Sequence, residues 1–477
     1  MPETQYSYLA EIQKIAARQK AEVYLVGGFL RDHLLGRDCL DFDFAVQKGG
    51  LKLARSFAKK IKGAFIVLDE ERNCARVAKK IEGDILTFDF ADYRAATIRG
   101  DLNHRDFTIN ALALRLDELI SGEKWERSLL NITKAKSDLK AKRICMVSAK
   151  SFKEDPLRLM RAFSLKAVLG FKIERTTLAQ IRKDVDLIRK VSPERVREEL
   201  FKVLASERSA QILKDMDTIG LLVKVMPQIA VMFGVKQGTY HHLDVWPHSL
   251  ETVLQLEKVL GEFAGGADIS EYLETEVGGG HTRRQVLKLG ALLHDIGKPE
   301  TRKREKDRIS FHGHEHVGRS IVRHIANQLK FSTKERHMLE DLVRWHLRPG
   351  YLSNFKKPSD RAVYRYFRDT GDEGVGILLL SMADQRATCG PATTEYDQKH
   401  HAKICRDLLK RYFTKAKEKP IIRLLSGDDL IKSLKLTPSP LFAEILNDIE
   451  EQQALGKLTT KDEALKRARA LADLKRN

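Results

Sequence analysis

Long apolar runs and paired cysteines are both missing from this 477-residue chain. No apolar stretch approaches the roughly 18 residues of a membrane span, and the polar first twenty residues lack the apolar core of a signal peptide. The five cysteines are widely scattered without a Cys-x-x-Cys pair, which argues against a disulfide framework and against a thiolate zinc site. We therefore expect a soluble, cytoplasmic protein with reduced cysteines and no membrane partner.

Acidic residues are outnumbered by basic ones. Lysine and arginine total 85 against 66 aspartates and glutamates, which gives a formal net charge of +19. A surplus of this size favours a polyanionic partner. Because it is spread along the chain, an extended surface for RNA or DNA phosphates fits better than a basic anchor. Composition alone does not separate nucleic acid from membrane, and it indicates no protein partner.

The chain is too long for one core, and its pattern predicts four parts. Strand-like runs alternate with a helix at 51–61 in the first part, after which strand signals fade and the rest is predicted to be helical. A glycine-rich stretch at 261–280 is interpreted as a flexible insertion, and Thr460 with Glu463 predicts a capping box. The predicted parts are an α+β head at 1–147, a helical neck and RNA-binding body at 148–235, a helical unit at 236–400 with 12 of the 15 histidines, and a helical C-terminal segment at 401–477.

The most informative stretch is VGGFLRDHLLGRDCLDFDFAV, at residues 26–46. Asp41 and Asp43 alternate on a predicted strand, so both carboxylates face one side and could hold Mg²⁺ against a nucleoside triphosphate. Gly27 and Gly28 have no Cβ, so backbone N–H groups there can approach phosphate oxygens, and Arg31 can add a charged contact. An isolated Asp-x-Asp pair favours a solvated turn, but this combination favours a catalytic site.

Three motifs in order carry a family resemblance. VGGFLRDHLLG with DFDF, then HRDFTINALAL, then KEDPLRLMRAF resemble the signatures of class II CCA-adding tRNA nucleotidyltransferases and the related bacterial poly(A) polymerases. The resemblance implies a polymerase-β-like head followed by helical parts. It also implies that Asp41 and Asp43 bind two metals while an RNA 3′ hydroxyl attacks the α-phosphate and expels pyrophosphate. Asp89, on a neighbouring predicted strand, fits a further carboxylate or a structural residue equally well.

The second motif supplies further nucleotide contacts by the same resemblance. It implies that Arg105 reaches phosphate, that Asp106 accepts from a ribose hydroxyl, and that Asn110 bonds sugar or backbone. The family usually has two basic residues before this aspartate. This chain has His104 in the first of those positions, so His104 is not included among the ligands.

The third motif allows base choice to be argued from hydrogen bonding. Asp155, Arg158 and Arg161 are spaced so that all three can face one pocket from a helix. Cytosine and adenine each offer an amino donor beside a ring-nitrogen acceptor, which an aspartate and an arginine match, whereas uracil and guanine leave like dipoles facing each other. A protein template could thus replace a nucleic-acid one. An isolated Asp–Arg pair would instead favour a surface salt bridge.

Two departures from the family pattern bear on the product. Ser164 stands where relatives commonly carry another arginine, so one phosphate or base contact is missing. Only residues 95–104 separate DFADYR from RDFTINAL, where CCA-adding relatives have a longer loop associated with the switch from C to A. The short connection favours a partial activity that adds only CC or only A.

The histidine-rich part resembles the HD superfamily of metal-dependent phosphohydrolases. ALLHDIGKP, FHGHEHVG, VRWHLRP and LLSMADQRA follow an upstream histidine in the order typical of that superfamily. Imidazole with carboxylate suits Mn, Fe, Ni or Zn, or Mg with more water, so the metal stays unidentified. His312 and His316 are interpreted as surface neighbours. The predicted ligands are His248, His294, Asp295, His314, His346 and Asp384.

The leading hypothesis is template-independent addition of C and A to the 3′ end of tRNA from CTP and ATP with Mg²⁺, by an enzyme with an appended HD domain. The helical body would clamp the acceptor and T-stem duplex by shape and phosphate contacts. The HD site is expected either to hydrolyse a phosphoester, such as a 2′,3′-cyclic phosphate, or to serve as an RNA platform. The alternatives are a poly(A) polymerase and, from another class, an RNA-binding or RNA-repair phosphohydrolase with an inactive head.

Overall fold

A computed structural model describes residues 3–121, 125–131, 134–305, 308–416, 422–437 and 439–474. The chain divides into two compact units. The first comprises Met1–Ser206 with Asp215–Val225, and the second comprises Glu207–Lys214 with Met226–Asn477. The finer division into four parts stays a prediction.

The first unit is built on a six-stranded sheet with the order β3-β4-β5-β2-β1-β6, in which β2 and β5 are parallel and the other neighbours antiparallel. The four strands that the sequence predicts and the helix predicted at 51–61 are present. Strand β4 is not predicted, because its lysines hide the alternation of buried Ala75 and Val77. The strands are β1 Val23–Val26, β2 Asp41–Val46, β3 Ala64–Asp69, β4 Cys74–Ile81, β5 Asp84–Asp92 and β6 Ala113–Arg115. The helices are α1 Glu3–Gln19, α2 Gly28–Leu34, α3 Gly50–Ile61, α4 Ile98–Asn103, α5 Leu116–Ser121 and α6 Ala135–Lys140.

Phenylalanines fix the orientation of the two parallel strands. Phe42 stacks on Phe88 with ring centroids 5.2 Å apart, and Phe44 stacks on Phe90 at 4.8 Å. All four rings are buried on one face of the sheet. Because side chains alternate along a strand, the aspartates between these phenylalanines point to the opposite face.

The chain after the sheet is mainly helical, as predicted, with one short parallel pair of strands. Leu157, Met160 and Phe163 recur at helical spacing and are buried. Gly170 ends the helix Arg158–Leu169 in a left-handed conformation with φ of 69°, which suits glycine. The elements are β7 Arg143–Ile144, α7 Ser151–Glu154, α8 Arg158–Leu169, β8 Lys172–Ile173, α9 Arg175–Asp184, α10 Pro193–Ala205, α11 Ser209–Thr218 and α12 Leu221–Val225.

The second unit is helical with two short hairpins. The stretch interpreted as a flexible insertion contains helix α14, whose Ile269 and Leu273 are buried one turn apart, and strand β9. This apolar pair gives the insertion its own anchor. The elements up to residue 416 are α13 Val245–Glu262, α14 Ala267–Glu274, β9 Glu276–Gly278, β10 His281–Thr282, α15 Arg283–Leu293, α16 Lys298–Thr301, β11 Lys303–Glu305, β12 Arg308–Ser310, α17 His314–Gln328, α18 Thr333–Trp345, α19 Arg348–Ser353, α20 Asp360–Thr370, α21 Gly374–Ala387 and α22 Glu395–Ala416.

Three further helices, α23 Gly427–Leu434, α24 Pro440–Ala454 and α25 Lys461–Leu474, follow in the same unit and enclose a small core of leucine, isoleucine and alanine. The predicted capping box is present. The backbone N–H of Glu463 donates to Thr460 Oγ1 at 3.3 Å, and the Thr460 N–H donates to the Glu463 carboxylate at 3.2 Å. Across the described ranges, no helix combines the length and the apolar character needed to cross a membrane.

Candidate active site and metal centre

The glycine pair lies directly against the acidic strand. Val26 on β1 pairs with Asp43 on β2, and Gly27 follows with φ of 75°. A Cβ added at Gly27 would come within 3.2 Å of Asp43 Oδ2 and 3.1 Å of Arg105 Nη1. Only glycine therefore lets the backbone pass this close to the carboxylate and guanidinium.

Three aspartates share the polar face of β2 and β5. Asp43 pairs with Asp89 in the parallel register, and Asp41 accepts a hydrogen bond from Thr87 Oγ1. Arg76 on β4 donates two hydrogen bonds of 2.8 Å to Asp89. Burial raises the pKa of Asp43. The nearby carboxylates of Asp89 and Asp41 also raise it, whereas the charge of Arg105 lowers it. Hard carboxylate oxygens concentrated beside Asp43 fit a divalent cation, which would relieve this repulsion.

A buried hydrogen-bond network links residues from all three sequence motifs. Arg31 donates to Asn110 Oδ1 at 2.7 Å and to both carboxylate oxygens of the adjacent Asp32. Asn110 in turn donates to Asp106 Oδ1 at 3.1 Å, and Arg161 donates to Asp106 Oδ2 at 2.9 Å. The network thus joins motifs that lie up to 130 positions apart in the chain. The sequence pattern, which gives each motif a separate role, does not predict this network.

Asp106 is the centre of that network. Burial by itself would raise the pKa of this carboxyl, but the charge of Arg161 and hydrogen bonds from the Phe107 N–H and Asn110 lower it to about 2. The carboxylate is therefore ionised at neutral pH. A ribose hydroxyl would donate to the same carboxylate oxygens of Asp106 that already accept from Asn110 and Arg161.

Arg105 and His104 differ in their surroundings. Arg105 contacts Asp101 at 3.3 Å and lies beside Gly27, which places its charge next to the acidic strand. His104 Nδ1 lies 3.2 Å from the Glu154 carboxylate. Its position agrees with leaving it out of the predicted ligands.

The structure does not gather the three residues of the third motif into one cluster. Arg158 is buried and donates to the carbonyl oxygens of His104 at 2.6 Å and of Arg105 at 3.3 Å. Asp155 accepts from Arg195 at 3.0 Å, while Arg161 contacts Asp106. The helix is interrupted between them: α7 ends at Glu154, and α8 begins at Arg158, so the spacing assumed for one continuous helix does not apply.

Ser164 also has a structural role in this region. Its hydroxyl donates to the buried carboxylate of Glu199 on α10, which lies 3.7 Å from Arg161 and contacts Lys202. A serine here leaves room for Arg161 to approach Glu199. Ser164 therefore joins α8 to α10.

The second unit brings together all six residues of the predicted HD site, which fall into two groups of ligand atoms. Within each group the ligand atoms lie within 4.8 Å of one another. Asp295 links them: its Oδ2 lies 3.2 Å from His294 Nε2, and its Oδ1 lies 3.3 Å from His314 Nε2. The first group is His248, His294 and Asp384, and the second is Asp295, His314 and His346.

Three of the histidines are oriented by backbone carbonyls close to them in the chain. His294, His314 and His346 each contact, through Nδ1, the carbonyl oxygen three residues earlier, at 2.8 to 2.9 Å. Because a carbonyl only accepts, Nδ1 carries a proton, and Nε2 faces the centre of the site. His294 Nε2 is buried without a hydrogen-bond partner among the described residues. This is the arrangement expected of metal ligands, so the donor set fits a divalent metal.

The carboxylates of this site are ionised. Burial opposes ionisation. Contacts with His294 and Lys298 nevertheless hold the pKa of Asp295 well below its ordinary value, and contacts with His248 and His294 do the same for the pKa of Asp384. Lys298 Nζ also donates to Asp295 Oδ2 at 2.6 Å and so fixes the carboxylate that joins the two groups.

Sequence reasoning missed His241. Its ring packs edge-on against His248 with centroids 4.7 Å apart, and its Nδ1 is buried without a hydrogen-bond partner in the described part of the chain. The sequence feature that points to His241 is its position seven residues before His248, on the loop that precedes α13. His316, by contrast, is exposed and contacts only the neighbouring Glu315, as predicted for a surface residue.

Three family profiles match successive parts of the chain. The Poly A polymerase head domain matches residues 23–145, and the probable RNA and SrmB-binding site of polymerase A matches residues 170–233. The HD domain matches residues 245–374. The sequence-based assignment of a nucleotidyltransferase head and an HD domain is confirmed.

Characterised relatives match nearly the full length. The A-adding tRNA nucleotidyltransferase of Deinococcus radiodurans is 32% identical, over 92% of this chain and 93% of that protein. The CC-adding tRNA nucleotidyltransferase of Thermus thermophilus is 29% identical, over 93% of this chain and 92% of that protein. Among solved structures, a complex of a CCA-adding enzyme with ATP is similar with a TM-score of 0.66 at 20% identity, covering 99% of this chain and 96% of that one, which shows the fold.

The Asp106 network makes a first testable prediction, which concerns stability. Asp106→Asn removes a carboxylate whose lowered pKa corresponds to about 2 kcal/mol. The first thermal transition should therefore fall by roughly 5 °C at pH 7. Because the pKa is depressed, this difference should be full above pH 4 and shrink as the pH falls toward 2. Exposed Asp38→Asn is the matched control, and equal melting of the two variants would contradict the role of Asp106.

The second prediction concerns the HD site. Asp295→Asn should lower Ni²⁺ affinity at least about tenfold, because Asp295 contributes to both ligand groups. Metal content after equilibrium dialysis, measured by mass spectrometry, checks this. His316→Asn, an exposed histidine two residues from a predicted ligand, should bind Ni²⁺ like the unaltered protein. Similar metal content in both variants would exclude the site.

Proposed function

The chain belongs to the family of tRNA nucleotidyltransferases and poly(A) polymerases, and we propose that it adds C and A nucleotides to the 3′ end of tRNA from CTP and ATP without a nucleic-acid template. The product is CCA or part of that sequence. A cytoplasmic location follows from tRNA as the substrate and is part of the same proposal.

One observation carries this proposal. The backbone at Gly27 approaches Asp43 so closely that a Cβ would meet both the carboxylate and Arg105. A triphosphate lying along this glycine would have backbone N–H groups and the Arg105 guanidinium on one side, and the carboxylates of Asp41 and Asp43 on the other. Cations and donors beside acidic metal ligands are what transfer of a nucleotidyl group requires.

The residues have separate tasks in this reaction. Asp41 and Asp43 would hold two Mg²⁺, which when bound acidify the attacking 3′ hydroxyl and neutralise charge on the triphosphate. Arg105 and the Gly28 N–H bind phosphate oxygens, while Gly27, whose own N–H donates to the Leu112 carbonyl oxygen at 3.2 Å, lets the triphosphate come close to the backbone. Asp106 accepts from the ribose, and Arg31 with Asn110 keeps Asp106 in place.

Partial addition is the favoured form of the activity. The connection at 95–104 is short. It contains only the helix α4 and joins strand β5 to the second motif. Four relatives matched over at least nine-tenths of the chain are named A-adding or CC-adding enzymes. Addition of CC alone, or of A alone, therefore fits both the short connection and the near full-length likeness.

Base selection is proposed for Asp155 and Arg158. Asp155 is joined to only one described side chain, that of Arg195, and that pair is partly exposed, so a base could displace Arg195. Arg158 is held on backbone carbonyls beside Arg105, which supports a fixed donor near the phosphate contacts. Arg161 acts on Asp106 and not on the base.

The HD site supports a second activity. When bound, a divalent metal would supply an acidified water for attack on a phosphoester. The six ligands hold their Nε2 and carboxylate oxygens toward one centre, and Lys298 supplies positive charge beside Asp295. A 2′,3′-cyclic phosphate at a damaged RNA end is the proposed substrate class, and imidazole-rich ligation favours Mn, Fe, Ni or Zn over Mg.

The third prediction tests the assignment of two independent sites. Purified protein is incubated with tRNA transcripts that end at the discriminator base, after one C or after CC, with one nucleotide offered at a time. Asp41→Ala and Asp43→Ala should each abolish addition, whereas Asp295→Ala should leave it within about twofold because its site lies in the other unit. Product length on a gel separates CC, A-only, CCA and poly(A) activity. Loss of addition in all three variants would overturn the assignment.

The same assay distinguishes the alternatives. A ladder of A residues on any RNA would establish a poly(A) polymerase. No addition on any transcript, with hydrolysis of a cyclic phosphate, would establish an RNA-repair phosphohydrolase with an inactive head.

The fourth prediction concerns base choice. Asp155→Asn keeps the shape of the side chain but can donate to a carbonyl, so the kcat/KM for UTP relative to CTP should rise about tenfold. Arg195→Ala is the matched control, because it removes the partner of Asp155 without changing the acceptor. Nucleotide preference that is unchanged in Asp155→Asn would exclude Asp155 from base selection.

A further inference from the structure

The HD site opens on one side only. Of its six ligands, Asp384 is the one with appreciable exposure, at 21% of its side chain, while the other five are at 7% or less. Asp384 lies on α21, near the end of that helix. The accessible side of the site therefore lies near the C-terminal end of α21, next to the α21–α22 connection.

A strip of exposed rings begins at this opening. The backbone of Tyr240 accepts from Gly390 N at 2.7 Å and from Thr393 Oγ1 at 3.1 Å, so its ring lies beside the α21–α22 connection. A Cβ at Gly390 would come within 2.3 Å of the Tyr240 backbone, so this close packing requires glycine. His241, the next residue, contacts the ligand His248.

The strip continues along α22 onto the segment after α19. The Tyr396 ring is parallel to His400 with centroids 5.9 Å apart, and His400 Nε2 donates to the carbonyl oxygen of Phe355 at 3.0 Å. Tyr351 lies one turn before Phe355. Exposure of these aromatic residues is high, at 60% for Tyr240 and Tyr351, 63% for Phe355 and 74% for Tyr396. We call these four residues and His400 the aromatic strip.

One face of α22 joins the aromatic strip to a basic depression. Tyr396, His400, Lys403, Asp407 and Arg411 follow at steps of three or four residues, so they lie along the same face of the helix. Their span, 15 residues, is about 22 Å. The strip and the depression therefore form one continuous path along this helix.

The basic depression has a volume of about 400 Å³ and holds mainly positive charge. None of the ion pairs among the described residues involves Lys356, Lys357 or Lys403. Arg411 is paired with Asp360, and Asp407 is the one carboxylate in the lining. The depression is lined by Lys356, Lys357, Lys403, Arg411, Asp407, Pro358, Val363, Ile404 and Leu408.

We propose that the aromatic strip and the basic depression bind a single-stranded RNA segment and lead its end to the HD site. Exposed flat rings stack on unpaired bases, which a duplex does not offer, and the lysines contact the phosphates. At about 3.4 Å per stacked nucleotide, the 22 Å face spans roughly six nucleotides. The positive charge of the basic depression would repel a basic peptide, which excludes such a partner.

This inference concerns binding, and it extends the proposed phosphohydrolase role of the HD site. The probe is a fluorescein-labelled single-stranded RNA of eight nucleotides that contains one 4-thiouridine, bound to the full-length protein without nucleoside triphosphates. Photo-crosslinked peptides should map to residues 351–357 or 396–403. Crosslinks confined to other segments would overturn the proposal.

Variants make the test quantitative. Tyr396→Ala with Phe355→Ala should weaken binding of the single strand by about tenfold or more. Lys357→Ala with Lys403→Ala should reduce the slope of log Kd against log salt concentration by about 1.4, the value for two phosphate contacts on a single strand. Exposed Lys334→Ala on α18 is the control for a lost surface charge and should change neither quantity.

The outcomes separate this proposal from the activity of the HD site. Unchanged affinity in the aromatic variant, or equal loss for a duplex of the same length, would contradict a stacking surface. Because turnover is not measured, an inactive HD site would leave the binding result standing. Ni²⁺ content equal to that of the unaltered protein shows that the aromatic variant keeps an intact metal site.

Discussion

The alternation of phenylalanine and aspartate on two parallel strands is the constraint on which the head depends. The rings of β2 and β5 stack pairwise in the core, so a slip of one residue would bury aspartate and expose phenylalanine. The same register sets Asp43 beside Asp89 and opposite the end of β1, where Gly27 turns. Packing on one face thus positions the acidic groups on the other.

Helix geometry has the corresponding role in the HD site. Three histidines donate Nδ1–H to the carbonyl oxygen three residues earlier, on the preceding helix for His294 and His346 and just before α17 for His314, which directs Nε2 inward before any ligand binds. Asp295 then joins the two groups through its two oxygens. Preorganisation of this kind lowers the cost of assembling a site from residues on or next to five separate helices. The two units therefore use different secondary structure to gather the same chemical groups, carboxylates with cations nearby.

Much of this organisation was predictable, because β1 and β3 are short apolar runs, β2 and β5 alternate phenylalanine with aspartate, and the metal-ligand types have a characteristic order. The strand β4 was not, because its lysines hide the alternation of buried Ala75 and Val77, and the hairpin β9–β10 was not, because β9 lies in the glycine-rich stretch interpreted as flexible. Sequence reasoning also placed Asp155, Arg158 and Arg161 on one helix, whereas the break at Asp155–Leu157 separates their contacts. The network from Arg31 through Asn110 and Asp106 to Arg161 could not be deduced, because it depends on tertiary packing.

The central claim is that nucleotide addition takes place at metals held by Asp41 and Asp43. The most direct measurement is the rate of addition with the two diastereomers of a nucleoside triphosphate that carries sulfur on the α-phosphate. If the metals contact that phosphate, one diastereomer should react slowly with Mg²⁺ and regain its rate when a softer divalent ion replaces Mg²⁺. Equal rates for both diastereomers in Mg²⁺, with no response to the softer ion, would contradict metal contact at the reacting phosphate and the site described here.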